Sequence, residues 1–115
     1  MNFNGTDEFS KEFKRLSRKF RSLDEDLEEF KKVLATFPLG TGKHFAVLHR
    51  EGQVVVVKAR LFCKYLRKSS LRIIYAYHEA GATADFIEIY FKGEKENENR
   101  GRIVEYLNRF CSADR

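Results

Sequence analysis

Val54-Val55-Val56-Val57-Lys58-Ala59-Arg60-Leu61 begins as a β-branched run and ends in strict alternation. That pattern predicts a strand from Val54 to about Phe62. Lys58 and Arg60 stand two apart and share one face, while Val55, Val57, Ala59 and Leu61 share the other. One face therefore wants an apolar partner, and the other presents cations.

Reading outward from this strand, Glu51-Gly52-Gln53 is a turn and His44–His49 an earlier strand. Downstream, Leu71–His78 is a strand, Gly81 lies in a loop, and Phe86–Lys92 is a further strand. Sequential strands with short connections pair as an antiparallel meander. Before Gly42 the period is helical. Thr6 caps a helix with Asp7 and Glu8 in its first turn, and Phe9, Phe13, Leu16 and Phe20 form one face. Ser22 with Glu25 fits a capping box, followed by Leu23, Leu27, Phe30 and Leu34, with Pro38 and Gly40 as the stop. The two helices form a hairpin with one apolar side. Ile103, Leu107 and Phe110 mark a short last helix after the polar run Gly93–Gly101. The fold class is α+β: an N-terminal helical hairpin packed in two layers on a small, mostly antiparallel sheet, with a short C-terminal helix. Asn2-Phe3-Asn4-Gly5 is a poor strand sequence.

A chain of 115 residues makes one domain, 1–115. Its 43% hydrophobic content is enough to fold, and no apolar run approaches the roughly 18 residues a membrane span needs. The N-terminal residues carry no signal-peptide pattern, and two cysteines make no disulfide scaffold. These features fit a cytoplasmic protein with reduced thiols. Phosphate-binding glycine loops and dinucleotide fingerprints are absent from the sequence, and His44, His49 and His78 lack zinc-site spacing. Cys63 lies between Arg60 and Lys64 but reads as a packed core residue.

The net charge of +5 is unevenly spread. Ser10–Arg21 holds six bases and one acid, Ser22–Phe30 five acids and no base, and Lys43–Arg72 eight bases and one acid. A central segment this basic fits a polyanion, nucleic acid or acidic protein; the other reading is a solvated surface. Lys58, Arg60, Arg72 and Lys92 lie on or beside strands about 5 Å apart. They either converge on one phosphate or pair with Glu88 and Glu94 as ordinary exposed residues.

Four segments, in this order and spacing, resemble toxins of the RelE/ParE superfamily: Phe9-Ser10-Lys11-Glu12-Phe13-Lys14-Arg15-Leu16, Lys58-Ala59-Arg60-Leu61, Leu71-Arg72-Ile73-Ile74-Tyr75, and Ile87-Glu88-Ile89-Tyr90-Phe91-Lys92-Gly93. The resemblance implies a helical hairpin on a twisted sheet. It implies a toxin of a type II toxin–antitoxin module, bound in a hetero-oligomer by a small acidic antitoxin. RelE-like members cut mRNA in the ribosomal A site, without metal or cofactor, by attack of the ribose 2′-OH on its adjacent phosphate. ParE-like members instead inhibit DNA gyrase, and a catalytically silent member that only binds antitoxin or nucleic acid is a third reading.

Carried over, Lys58 and Arg60 match the basic pair of the second strand, and Arg72 matches the arginine opening the next. Lys92 falls at the basic position after the last strand, with Lys95 as the alternative. Lys58, its pKa lowered by neighbouring cations, is the expected base, and Arg72 the holder of the scissile phosphate. Lys14, Arg18, Lys64, Arg67, Lys68 and Lys95 are the expected RNA contacts. Two departures stand out: the loop Phe62–Ser70 is longer than the prototype's, and Asn99 aligns where the RelE branch has a tyrosine, with Tyr106 too far along to replace it.

Overall fold

The helix α1 (Asp7–Lys19) begins as the sequence predicts: Thr6 Oγ1 accepts the Phe9 N–H at 3.1 Å, and Asp7 and Glu8 sit at the positive end of the dipole. The start of α2 (Leu23–Thr36) differs. The turn after α1 leaves Ser22 in a helical conformation, so its hydroxyl makes no cap bond. It donates to Asp26 at 2.7 Å and accepts the Tyr65 N–H at 3.1 Å. The expected capping box is replaced by a tie between α2 and the loop after Phe62. The computed structural model describes residues 1–66 and 70–111.

Among the described residues, five strands make one sheet: β1 (Asn2–Gly5), β2 (Phe45–Glu51), β3 (Val54–Leu61), β4 (Leu71–His78) and β5 (Thr83–Phe91), in the order β1-β5-β4-β3-β2. β2 to β5 are the predicted antiparallel meander, and β1 joins β5 in parallel. Asn2–Gly5 has little strand propensity; Phe3, stacked on Phe86 at 5.9 Å, supplies the packing that overrides it. His44 belongs to a single 3₁₀ turn, Gly42–His44, rather than to the first hairpin strand.

On one face, α1 and α2 bury Phe9, Leu16, Phe20, Leu27 and Phe30 against Val55, Val57, Ala59, Leu61, Ile73 and Tyr75. Tyr75 Oη donates to the Pro38 carbonyl at 2.7 Å, and burial raises its pKa. The other face is not open along its length. The helix α3 (Arg100–Cys111) covers part of it, packing Ile103, Tyr106 and Leu107 on Val56, Ile74, Ala76 and Ile87. The domain has three layers, not two. The four-valine run carries the reason: apolar side chains on both faces mark a strand covered on both sides.

A register shift between Ile74 and Tyr75 leaves Ile87 unpaired in β5, and both Ile87 and the fully buried Glu88 serve α3. Glu88 accepts the Asn99 N–H at 2.8 Å and the Lys95 ammonium, and Arg102 lies 3.9 Å away. Tyr106 Oη bridges His78 and Asp85, each at 2.5 Å. Among the described residues, no helix is long and apolar enough to cross a membrane.

Glu88→Ala should leave the Asn99 N–H and Lys95 without their carboxylate, with Arg102 still held by Glu12, and cost about 1–3 kcal/mol in chemical denaturation. Hydrogen exchange in α3 should accelerate before exchange in α1. Unchanged protection of α3 would show that its apolar contacts alone seat it.

Candidate functional site

The register of β3 on β4 places Arg60 directly opposite Arg72. Like charges facing each other across strands repel and destabilise a sheet. Lys58 shares their face, and Ala46 of β2 pairs with Lys58. Where β2 begins, the 3₁₀ turn adds Lys43 and His44, and a cavity of about 170 Å³ opens between Lys43, His44, Phe45, Ala46, Lys58, Ala59, Arg60 and Arg72. Lys58, Arg60 and Arg72 thus line one cleft, at the end of the sheet that α3 does not cover.

Arg72 is half-buried, and Nη1 donates to Ser70 Oγ at 2.7 Å. Burial, then the charge of Arg60, lower its pKa. Lys58 behaves opposite to expectation. Its ammonium donates to Glu98 Oε1 at 2.8 Å, and that bond outweighs burial, so its pKa is raised. Neighbouring arginines alone would lower it; a carboxylate at hydrogen-bond distance is the nearer and stronger influence. Glu98 is 6% exposed, and its own carboxyl is held below the usual range, first by the bond to Lys58. Arg100 lies 3.5 Å from its other oxygen.

Tyr90 stands opposite Arg72 on β5 and is 4% exposed. Its hydroxyl is sealed from solvent and makes no well-formed hydrogen bond. Burial raises its pKa, and the nearby Lys58 charge works against that rise. Lys95 lies 5.5 Å above the Tyr90 ring while it binds Glu88. Lys92 is exposed past the end of β5 and is not among the residues lining the cleft.

The other expected RNA contacts are scattered by the fold. Lys14 and Arg18 are exposed on α1, in the helical layer across the sheet from Lys58. Lys64 pairs with Glu25 at 3.7 Å, beside the acids of α2. Arg67 and Lys68 lie outside the described residues. Glu94 pairs with Arg15 and Lys19 of α1 and Glu88 with Lys95, so the acids expected to neutralise the strand cations are occupied elsewhere, and Glu98 takes that part. Asn99 accepts the Arg102 N–H at 3.2 Å in the first turn of α3, a capping role.

Sequence reasoning does not place Lys43 and His44 in the lining of the cleft, or Glu98 against Lys58. For His44 a signal is present: a residue just before a strand that pairs with β3 must lie near Arg60. Glu98 sits in a polar run that reads as a connection. Among the described residues, no His, Cys, Asp and Glu cluster could hold a metal ion.

Because Glu98 is more acidic folded than unfolded, its stabilisation is present above the ordinary carboxylate pKa of about 4.3 and fades as pH falls through the lowered value. Glu98→Gln should therefore lose about 1.5–3 kcal/mol at neutral pH and match the parent protein near pH 2. Denaturant titrations at both pH values check this, and an equal difference at both would refute the charged pairing.

No family model matches the chain, and no curated protein matches it in sequence. A chain of the archaeal RelE–RelB complex from Pyrococcus horikoshii OT3 is similar in structure, with a TM-score of 0.61 and 17% identity, over 80% of this chain and 94% of that one. The chain has a RelE-like α+β fold, with three α-helices and a five-stranded mixed sheet among its described residues.

Proposed function

We propose that this protein is the toxin of a type II toxin–antitoxin module and a metal-independent endoribonuclease that cuts mRNA on the ribosome. The observation that carries the reading is the opposed pair Arg60 and Arg72, lining one cleft with Lys58 and Lys43. Four cations, of which Lys58 alone has a bound carboxylate, Glu98, leave the cleft with an excess of positive charge that suits an anion of high charge density. The RelE-like fold supports the choice of RNA over other polyanions, and RelE is itself complexed with RelB in the similar structure.

In the reaction, the ribose 2′-oxygen attacks the adjacent phosphorus. The new O2′–P bond forms as the P–O5′ bond breaks, leaving a 2′,3′-cyclic phosphate and a 5′-hydroxyl. Negative charge grows on the equatorial oxygens, where Arg72 and Arg60 donate hydrogen bonds that strengthen toward the transition state. Lys58, held charged, is a proton donor to the departing 5′-oxygen and not the base. Glu98 competes with the phosphate for that ammonium, so substrate binding exchanges one anionic partner of Lys58 for another.

Arg72→Ala removes a donor from the phosphate and also relieves the repulsion with Arg60. Ribosome-dependent cleavage should fall about a hundred- to a thousand-fold, while thermal unfolding stays the same or rises slightly. Full cleavage by the variant would sink the assignment. An antitoxin carrying acids should associate more slowly as salt rises, because screening acts within about 8–10 Å. A salt-independent association rate would mean that the cleft does not steer it.

A further inference from the structure

The reaction needs a group that removes the 2′-OH proton, and the cleft narrows the choice. Arginines do not deprotonate in proteins, so Arg60 and Arg72 only donate. Glu98 keeps Lys58 protonated. Tyr90 is buried, with its pKa raised, so its hydroxyl stays on. Glu98 is already bound to Lys58 and is a weakened base. The remaining side chain that both takes and gives a proton near neutral pH is an imidazole. His44 lines the cavity with Lys43, Lys58, Arg60 and Arg72.

The placement of His44 is constrained by its neighbours. Phe45 pairs with Ala59 and stacks on Phe30 of α2 at 6.0 Å, with the rings 7° from parallel. The ring of Phe45 occupies the space beside Gly40, where a Cβ would come within 2.0 Å of it. Gly40 also has φ of +75°, a conformation that favours glycine. With Phe45 held this way, the preceding residue is fixed at the level of Arg60. The imidazole of His44 then meets Phe62 edge to face at 5.2 Å and 87°. The other histidines are placed differently: His78 is bound to Tyr106 and Asp85, and His49 is exposed on β2.

On this basis, and resting on the endoribonuclease reading above, we infer that His44 is the general base that takes the 2′-OH proton. The proton passes to an imidazole nitrogen as the O2′–P bond forms. Lys58 gives its proton to the 5′-oxygen as the P–O5′ bond breaks, and solvent returns the imidazolium proton to Lys58, so the enzyme is restored. Lys43, Lys58, Arg60 and Arg72 face the imidazole from the cleft side, and Asp26 and Glu29 of α2 lie across the apolar cavity that His44 also borders.

The test is single-turnover mRNA cleavage on ribosomes by the full chain, from pH 5 to 9, with thermal unfolding run on the same preparations. The parent protein should gain rate as pH rises and then level off, as a base that must lose its proton to act requires. His44→Ala should lose about 10²- to 10⁴-fold and the acid limb of the profile, and added imidazole should restore part of the rate in proportion to its neutral form. His49→Ala is the control and should keep both rate and profile. A His44→Ala or His44→Gln protein that keeps the parent rate and acid limb would overturn the inference and leave the endoribonuclease reading standing. Lost rate without imidazole rescue, in a protein melting as the parent does, would also overturn it. A parent protein that cleaves no mRNA would overturn the reading and the inference together.

Discussion

Arg60 and Arg72 face each other on neighbouring strands, and much of the structure is arranged around keeping them there. Neither has a carboxylate among the residues that line the cleft, and Arg72 turns to a serine hydroxyl. Their position follows from the register of β3 on β4, which the hydrophobic pattern enforces. A slip of one residue would drive Lys58, Arg60 and Arg72 into the helical core and expose Val55, Val57 and Ile73. The repulsion is thus imposed by the burial of the apolar side chains on the opposite face, a far larger contribution than two half-solvated charges can oppose.

The same strands divide their second face lengthwise. At one end, Val56, Ile74, Ala76 and Ile87 are covered by α3. At the other, Lys58, Arg60 and Arg72 line a cleft. Glu98 stands at the boundary, on the segment that leads into α3, and reaches across to Lys58. Seating α3 and charging Lys58 are therefore linked. Glu88 holds the first turn of the helix through Asn99 and Arg102, and the residue just before Asn99 is the Glu98 that the chain delivers to the cleft. Any partner that pulled this segment away would free Lys58 of its carboxylate and alter the site without touching it.

The helices, the hairpin strands and the face that carries the cations are legible in the sequence because each rests on local periodicity. Lys58 and Arg60 at spacing two have to share a face, and the alternation from Val55 to Leu61 says which. Three things are not legible, each for a physical reason. Asn2–Gly5 becomes a strand through the stacking of Phe3 on Phe86, a contact between the two ends of the sheet's sequence. Ser22 has the residue type of a cap, but the short turn before α2 gives it the wrong backbone and frees its hydroxyl for Asp26. Glu98 sits 40 residues from Lys58, so a pKa argument made from neighbouring arginines misses the carboxylate that does most to reverse its sign.

That reversal changes what the cleft can do as well as how it is drawn. A neutral lysine would be an acceptor with no further need of a base. A lysine held charged is a donor, and together with two arginines it makes a site rich in positive charge and poor in acceptors. On the endoribonuclease reading, such a site would bind a phosphate and stabilise the charge of a phosphorane, yet electrostatics alone moves no proton. The chemistry would then need an acceptor from outside the strand face, and the 3₁₀ turn that precedes β2 brings an imidazole to the rim of the cleft. The placement of that turn depends on a glycine with positive φ and on a phenylalanine packed beneath α2. The helical layer, on the far side of the sheet from the cations, thereby sets the position of the one imidazole beside them.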